Sequence, residues 1–209
     1  MSKEESKKNL LLVEGNNDRH VIWALCEKFE LPNTFEVIDS GGINELKKRL
    51  NIELKSKADA IGIIIDADMD LNARWDSIKE ILTSHHFILP GTFPKDGLIE
   101  TNVSKKKTVG VWIMPDNNSN GMLEDFISFL IPKEDQLLPA VHSTLSDIEN
   151  KQLSKYLPIH KAKATIHTWL AWQESPGTPM GQSITKRYLT TDEATCMKLV
   201  DWMRKLFNN

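Results

Sequence analysis

The chain of 209 residues is 40% hydrophobic and 26% charged, a composition that leaves room for a sizeable core and excludes a disordered or fibrous protein. Its formal charge of −3 is unevenly spread: residues 151–209 carry nine Lys and Arg against four Asp and Glu, and the acidic excess falls on the first 150. A basic surface beside an acidic pocket gives such a split, and so does a set of solvated helix faces. Cys26 and Cys196 are the only cysteines and lie far apart, which excludes a disulfide scaffold and a clustered zinc site. The N-terminal MSKEESKK is polar, with no apolar stretch behind it long enough for a leader or a membrane span, so a cytoplasmic protein without membrane contact is expected.

Leu10-Leu11-Leu12-Val13 is a short continuous apolar run stopped by Glu14-Gly15, the pattern of a buried parallel strand. Val21, Ile22, Leu25 and Phe29 then recur at helical spacing, with Asn16 or Asn17 to cap the helix and Pro32 beyond its end. Phe35–Ile38 is a second strand, ended by Asp39-Ser40-Gly41-Gly42, and Ile43, Leu46, Leu50 and Leu54 mark a second helix. Ala60–Ile65 is the most strand-like segment, β-branched and followed by the polar stretch from Asp66. Leu71, Trp75, Ile78 and Leu82 trace a third helix face.

Residues 84–108, with their prolines, glycines and the Lys105–Lys107 run, read as loop with room for short antiparallel strands. Val109–Met114 is a fourth strand, followed by Pro115, a polar loop to Gly121, and a helix carrying Leu123, Phe126, Ile127 and Leu130. The alternation predicts an α/β core over residues 1–131 with a mainly parallel four-stranded sheet flanked by helices. Residues 132–209 read as a helical C-terminal region packed on that core, with Ile166, Trp169, Leu170, Met197, Val200, Trp202 and Leu206 as apolar positions.

In an open parallel sheet, ligands bind beyond the carboxyl ends of the strands. Glu14, Asp39, the Asp66, Asp68 and Asp70 series, and Asp116 all fall at those ends. So many carboxylates at one rim repel one another unless a cation is bound. Asp66 and Asp68, spaced i and i+2, project to one side of an extended segment and can share a hard cation, for which Mg2+ fits best and Mn2+ also serves. Other readings of Asp66-Ala67-Asp68-Met69-Asp70 stand beside this one. An EF-hand is opposed by Leu71 and Ser77 where Gly and Glu belong. A haloacid-dehalogenase-type phosphatase would use Asp66 as nucleophile, although Asp70 stands where that class carries Thr or Val. A polar turn with helix-capping duty needs no ligand at all. The six histidines show no metal spacing, and Trp169, Trp172 and Trp202 suit helical packing better than base stacking.

Val13-Glu14-Gly15-Asn16-Asn17-Asp18, followed some fifty residues later by Ile64-Ile65-Asp66-Ala67-Asp68, resembles the two motifs of the TOPRIM domain of topoisomerases, primases and OLD-type nucleases. Gly121-Met122-Leu123-Glu124-Asp125 looks like the acidic Gly-x-x-Glu element of the OLD-type branch, and Val111–Asp116 with His167–Trp172 is similar to small TOPRIM-related proteins. The resemblance implies a Rossmann-like TOPRIM fold and a magnesium-dependent nuclease. In it Glu14 is a metal ligand or general acid/base, Asp66 and Asp68 are the metal-binding pair, and Asp18 and Glu124 complete the ligand set. Asp70 extends the acidic run as a further candidate ligand. The resemblance also implies a lysine near the scissile phosphate, with Lys163 the candidate and Lys161 the reserve.

The departures narrow the reading. Tyr156 and Tyr188 have no separate domain in which to act as a topoisomerase nucleophile, two cysteines cannot make a primase zinc module, and no GxxxxGK[ST] motif supplies an ATPase. The expectation is therefore a stand-alone unit performing phosphodiester hydrolysis or transfer on nucleic acid, DNA before RNA. A homo-oligomer or a partner protein is compatible with it. A non-catalytic module that binds nucleotide or nucleic acid, and the phosphatase using Asp66, remain as alternatives.

Overall fold

The computed structural model describes residues 9–208; the polar segment over residues 1–8, on which the expectation of no leader partly rests, lies outside them. β1 (Asn9–Val13) pairs in parallel with β2 (Phe35–Asp39) on one side and β3 (Ala60–Asp66) on the other. β3 pairs in parallel with β5 (Lys107–Met114), and β4 (Leu98–Asn102) closes the far edge antiparallel to β5. The sheet thus has five strands in the order β2-β1-β3-β5-β4, not the four expected. The additional strand comes from residues 84–108, which read as loop with room for short antiparallel strands. Only Leu98 and Asn102 of β4 are buried, so an edge strand of five residues lacks the apolar alternation that betrays a central one.

α1 (Asn16–Lys28) joins β1 to β2, α2 (Ile43–Glu53) joins β2 to β3, and α3 (Leu71–Ser84) follows β3. Beyond β5 come α4 (Leu123–Phe129), α5 (Leu137–Asn150), α6 (Lys161–Ala171), α7 (Met180–Thr185) and α8 (Ala194–Phe207). Successive strand residues face opposite sides. Ile61, Ile63 and Ile65 of β3, with Val109, Val111 and Ile113 of β5, meet Leu46 and Leu50 of α2 and Trp75, Ile78 and Leu82 of α3. Leu11, Val13, Ile64, Trp112 and Met114 face the other layer, made by α1, α4 and the helices after residue 132, so the C-terminal helices share one buried cluster with the sheet.

α8 lies so close to that face that a Cβ on Gly110 would sit 2.6 Å from Leu206 Cδ2 and 2.9 Å from the Trp202 indole. Only glycine leaves room there. Trp202 Nε1 donates to the Leu98 carbonyl at 2.9 Å, which ties α8 to the edge strand. The first residue of β5, Lys107, is buried, and its ammonium donates to the carbonyls of Glu53 and Ser56 at 3.1 and 2.9 Å. A charged residue satisfied in this way has no apolar signature, which is why the strand begins before the Val109 read from sequence. Among the described residues no helix is long and apolar enough to cross a membrane.

Candidate functional site

β1 has β2 on one side and β3 on the other, and the connecting helices α1 and α2 lie on opposite faces of the sheet. The chain therefore reverses direction across the sheet between β1 and β3, and a crevice opens beyond their carboxyl ends, the usual ligand position of such sheets. Glu14 follows β1 and Asp66 ends β3. The Asp66 N–H donates to Glu14 Oε1 at 2.9 Å, so the acidic residue of the first motif is locked to the first residue of the second.

Asp18 stands in the first turn of α1, where its Oδ2 accepts from the Gly15 N–H at 3.2 Å and closes the helix start. Its other oxygen, Oδ1, is buried and has no hydrogen-bond partner. Asp66 Oδ1 accepts from the Leu123 N–H at 2.9 Å, which fastens the start of α4 to the end of β3 and brings in Glu124, the next residue. Glu124 is buried, 4% exposed, with Lys163 Nζ at 3.5 Å from its Oε1. Gly15, Asn16, Asn17, Asp18, Asp66, Leu123, Glu124 and Lys163 line one cavity of about 240 Å³. Four chain segments far apart in sequence, around residues 15–18, 66, 123–124 and 163, thus converge on it.

The carboxylates strain against one another. Burial, then the neighbouring charges of Asp18, Glu14, Glu124 and Asp68, hold the Asp66 carboxyl well above its ordinary value. Burial and the charge of Glu14 raise Asp18 to about 7, with Glu124 adding to the effect. Glu14 is raised too, chiefly by burial, although the hydrogen bond from the Asp66 N–H and then the charges of Arg74 and Lys47 oppose the rise. Among the described residues no three acidic, His or Cys side chains are already gathered into a ligand set. The carboxylates are neighbours across a cavity, and the unpartnered Asp18 Oδ1 is the oxygen most in need of a donor or cation.

The remaining sequence candidates have other neighbours. Asp68 has a left-handed backbone, φ 51°, pairs with Gly121 through reciprocal backbone hydrogen bonds of 2.7 and 2.8 Å, and its carboxylate forms an ion pair with Arg74. Asp70 caps α3, accepting from the Ala73 N–H at 3.0 Å, and lies outside the cavity wall. Asp39 and Asp116 hold their own turns through the N–H groups of Gly41, Asn118 and Ser119. Lys161 pairs with Glu149 at 2.7 Å, which leaves Lys163 as the lysine at the cavity.

Sequence reasoning missed Arg74 and Asn120. Asn120 accepts from the Leu71 N–H at 3.0 Å and donates to the Met69 carbonyl at 2.7 Å, clamping the loop that carries Asp68. Neither residue belongs to a motif, and their role exists only once the loop after β5 folds onto the loop after β3. The Asn and Gly content of 116–121 marked a turn but gave no sign of its partner.

Fold and site together define an α/β protein with a buried acidic crevice at the switch point of its sheet. The chain belongs to the family described as "Protein of unknown function (DUF3226)", whose pattern matches residues 8–208. Comparison with curated proteins and with solved structures gives no match.

Proposed function

We propose that the crevice binds a divalent cation, Mg2+ or Mn2+, and hydrolyses phosphodiester bonds of nucleic acid in the manner of a TOPRIM-type nuclease. The observation that carries this reading is the gathering of Asp18, Asp66 and Glu124 on one cavity with a buried, unpartnered Asp18 oxygen and a lysine at its mouth. The donor set fits a hard cation: all oxygen, all carboxylate, with space beside it for waters and phosphate oxygens. Asp18, Asp66 and Glu124 would hold it, with Glu14 and Asp68 adjoining. A cation bound there would lower the pKa of its water and offset charge on the phosphate oxygens.

The chain's own groups do the rest. Glu14, its Oε1 fixed by the Asp66 N–H, keeps Oε2 to accept a proton from an attacking water. Lys163, half exposed at the rim, places a positive charge where a phosphate enters and leaves Glu124 as that charge is taken up. Arg74 holds the Asp68 carboxylate, which would be a further ligand for a cation bound beside it. The order of the two motifs, their resemblance to TOPRIM sequences and the basic balance of residues 151–209 support the same reading.

The phosphatase reading needs an Asp66 carboxylate free to attack phosphorus, but its Oδ1 accepts from the Leu123 N–H, and burial and then four neighbouring carboxylates oppose its ionisation. The test is cleavage of plasmid and single-stranded DNA with Mg2+ or Mn2+. Cutting that depends on the metal and is lost in Asp66→Asn supports the proposal. Undiminished cutting by pure Asp66→Asn overturns it.

A further inference from the structure

α1 leads away from the acidic crevice, and its outer face carries Asn16, His20, Trp23 and Glu27, the spacing of a single helical stripe. α7 packs along this face so tightly that a Cβ on Gly181 would lie 2.5 Å from the His20 carbonyl oxygen, which fixes the distance between the two helices. Between them runs a cavity of about 400 Å³, walled by the α1 stripe and by residues of α7 including Gln182. It shares Asn16 and Asn17 with the acidic cavity at one end. At the other it continues, through Ala24, Glu27 and Thr185, into a second space of about 270 Å³ lined by Lys28 and Arg187.

The chemistry changes along this groove. Next to the carboxylates come amide side chains, then an aromatic pair in which His20 stands edge-on to Trp23 with ring centroids 5.2 Å apart. Trp23 is 45% exposed, with the Arg19 guanidinium 4.9 Å from the ring centroid. Cations follow at the far end, beside Glu27. A half-exposed tryptophan ring with a guanidinium over one face and amides beside it suits an unpaired nucleobase and its phosphates, because every base has a π-face and every phosphate a negative charge. Base pairs in a duplex have no such face to offer, being stacked on their neighbours.

We infer that the α1/α7 groove is a single-stranded nucleic-acid track, with a base stacked on Trp23 and the backbone led by Lys28 and Arg187 toward the acidic crevice. This rests on the proposed hydrolytic reading for what happens at the crevice, and adds that the substrate is an unpaired strand. From Asn16 to Lys28 the helix rises ~18 Å, enough for several nucleotides of strand.

The test uses the full chain carrying Asp66→Asn, which is expected not to turn over, and a fluorescein-labelled mixed-sequence DNA strand of about 12 nucleotides, followed by anisotropy. Trp23→Ala weakens binding by about 10-fold or more, Trp23→Phe stays within about threefold, and the matching duplex binds more weakly than the single strand. Because Trp23 is half in water, its loss leaves the melting temperature nearly unchanged, which separates a contact from a folding defect. Lys28→Ala with Arg187→Ala weakens binding further and flattens its salt dependence. Unchanged affinity in Trp23→Ala, preference for the duplex, or no binding at all overturns the inference. Metal-dependent cutting by wild-type protein alongside any of those results leaves the hydrolytic reading standing without this track. Trp23-dependent binding with no cutting keeps the track and removes the hydrolase.

Discussion

Asp18→Asn is expected to make the metal-free protein more stable. The carboxyl at position 18 is held at about 7 against an ordinary 3.8, so the folded chain keeps a proton there that the unfolded chain has released. Well below pH 4 the group is neutral in both states and costs nothing; as pH rises through 4 to about 7 the folded protein loses stability on its account. At 1.36 kcal/mol per unit this penalty reaches about 4 kcal/mol if Asp18 bears it alone, and about 2 kcal/mol if Asp66 shares the relief. Asparagine keeps an oxygen for the Gly15 N–H and turns the orphaned Oδ1 position into an N–H donor facing Glu14 and Glu124. For a chain of this length the gain is a rise of roughly 5–10 °C in melting temperature near pH 8, shrinking toward zero near pH 4. Thermal denaturation of both proteins in EDTA across that range measures it. Adding Mg2+ should raise the wild-type melting temperature and raise that of Asp18→Asn much less, because the variant has lost a ligand. A variant less stable than wild type near pH 8 in EDTA would refute the picture of crowded, uncompensated charge.

Other substitutions probe the parts around it. Arg74→Ala leaves Asp68 without its cation and lets Glu14 rise further, so the metal-free protein loses about 1–2 kcal/mol by urea denaturation, and saturating Mg2+ restores part of it. Gly121→Ala places a Cβ 2.7 Å from Asp125 Oδ2 at a backbone φ of 139°, so it frees the Asp68 loop, costs about 2 kcal/mol or more of stability and abolishes metal-induced stabilisation. Lys163→Ala, at a half-exposed position, shifts the melting temperature little and cuts the rate of DNA cleavage by about 100-fold, whereas Lys161→Ala leaves the rate near wild type.

Much of this architecture was legible in the residues. The apolar runs at 10–13 and 60–65 announced central strands because both of their faces are buried, and Glu14 and Asp66 were placed correctly since a strand of known direction has a known carboxyl end. β4 was foreseen only as room for short antiparallel strands within 84–108, because an edge strand buried at two positions carries no pattern that gives its bounds. Within the acidic run, spacing paired Asp66 with Asp68 and left Asp70 as a further candidate. Their different partners, Leu123, Arg74 and Ala73, arise from how α3 and α4 begin, which the sequence of the run does not encode. The nearness of Glu124 and Lys163 depends on α6 meeting α4, a packing choice with no local signature. The groove beside Trp23 is hidden for the same reason, since α1 and α7 lie about 155 residues apart and their close approach at Gly181 has no local signature.

The crevice between β1 and β3 is expected to hold a divalent cation, and anomalous diffraction from crystals soaked in Mn2+ tests this. A peak is expected between Asp18, Asp66 and Glu124, with Glu14 adjoining, and it is lost in Asp66→Asn crystals of the same form. Manganese bound elsewhere, with the Asp18 oxygens still directed at protein alone, would contradict it.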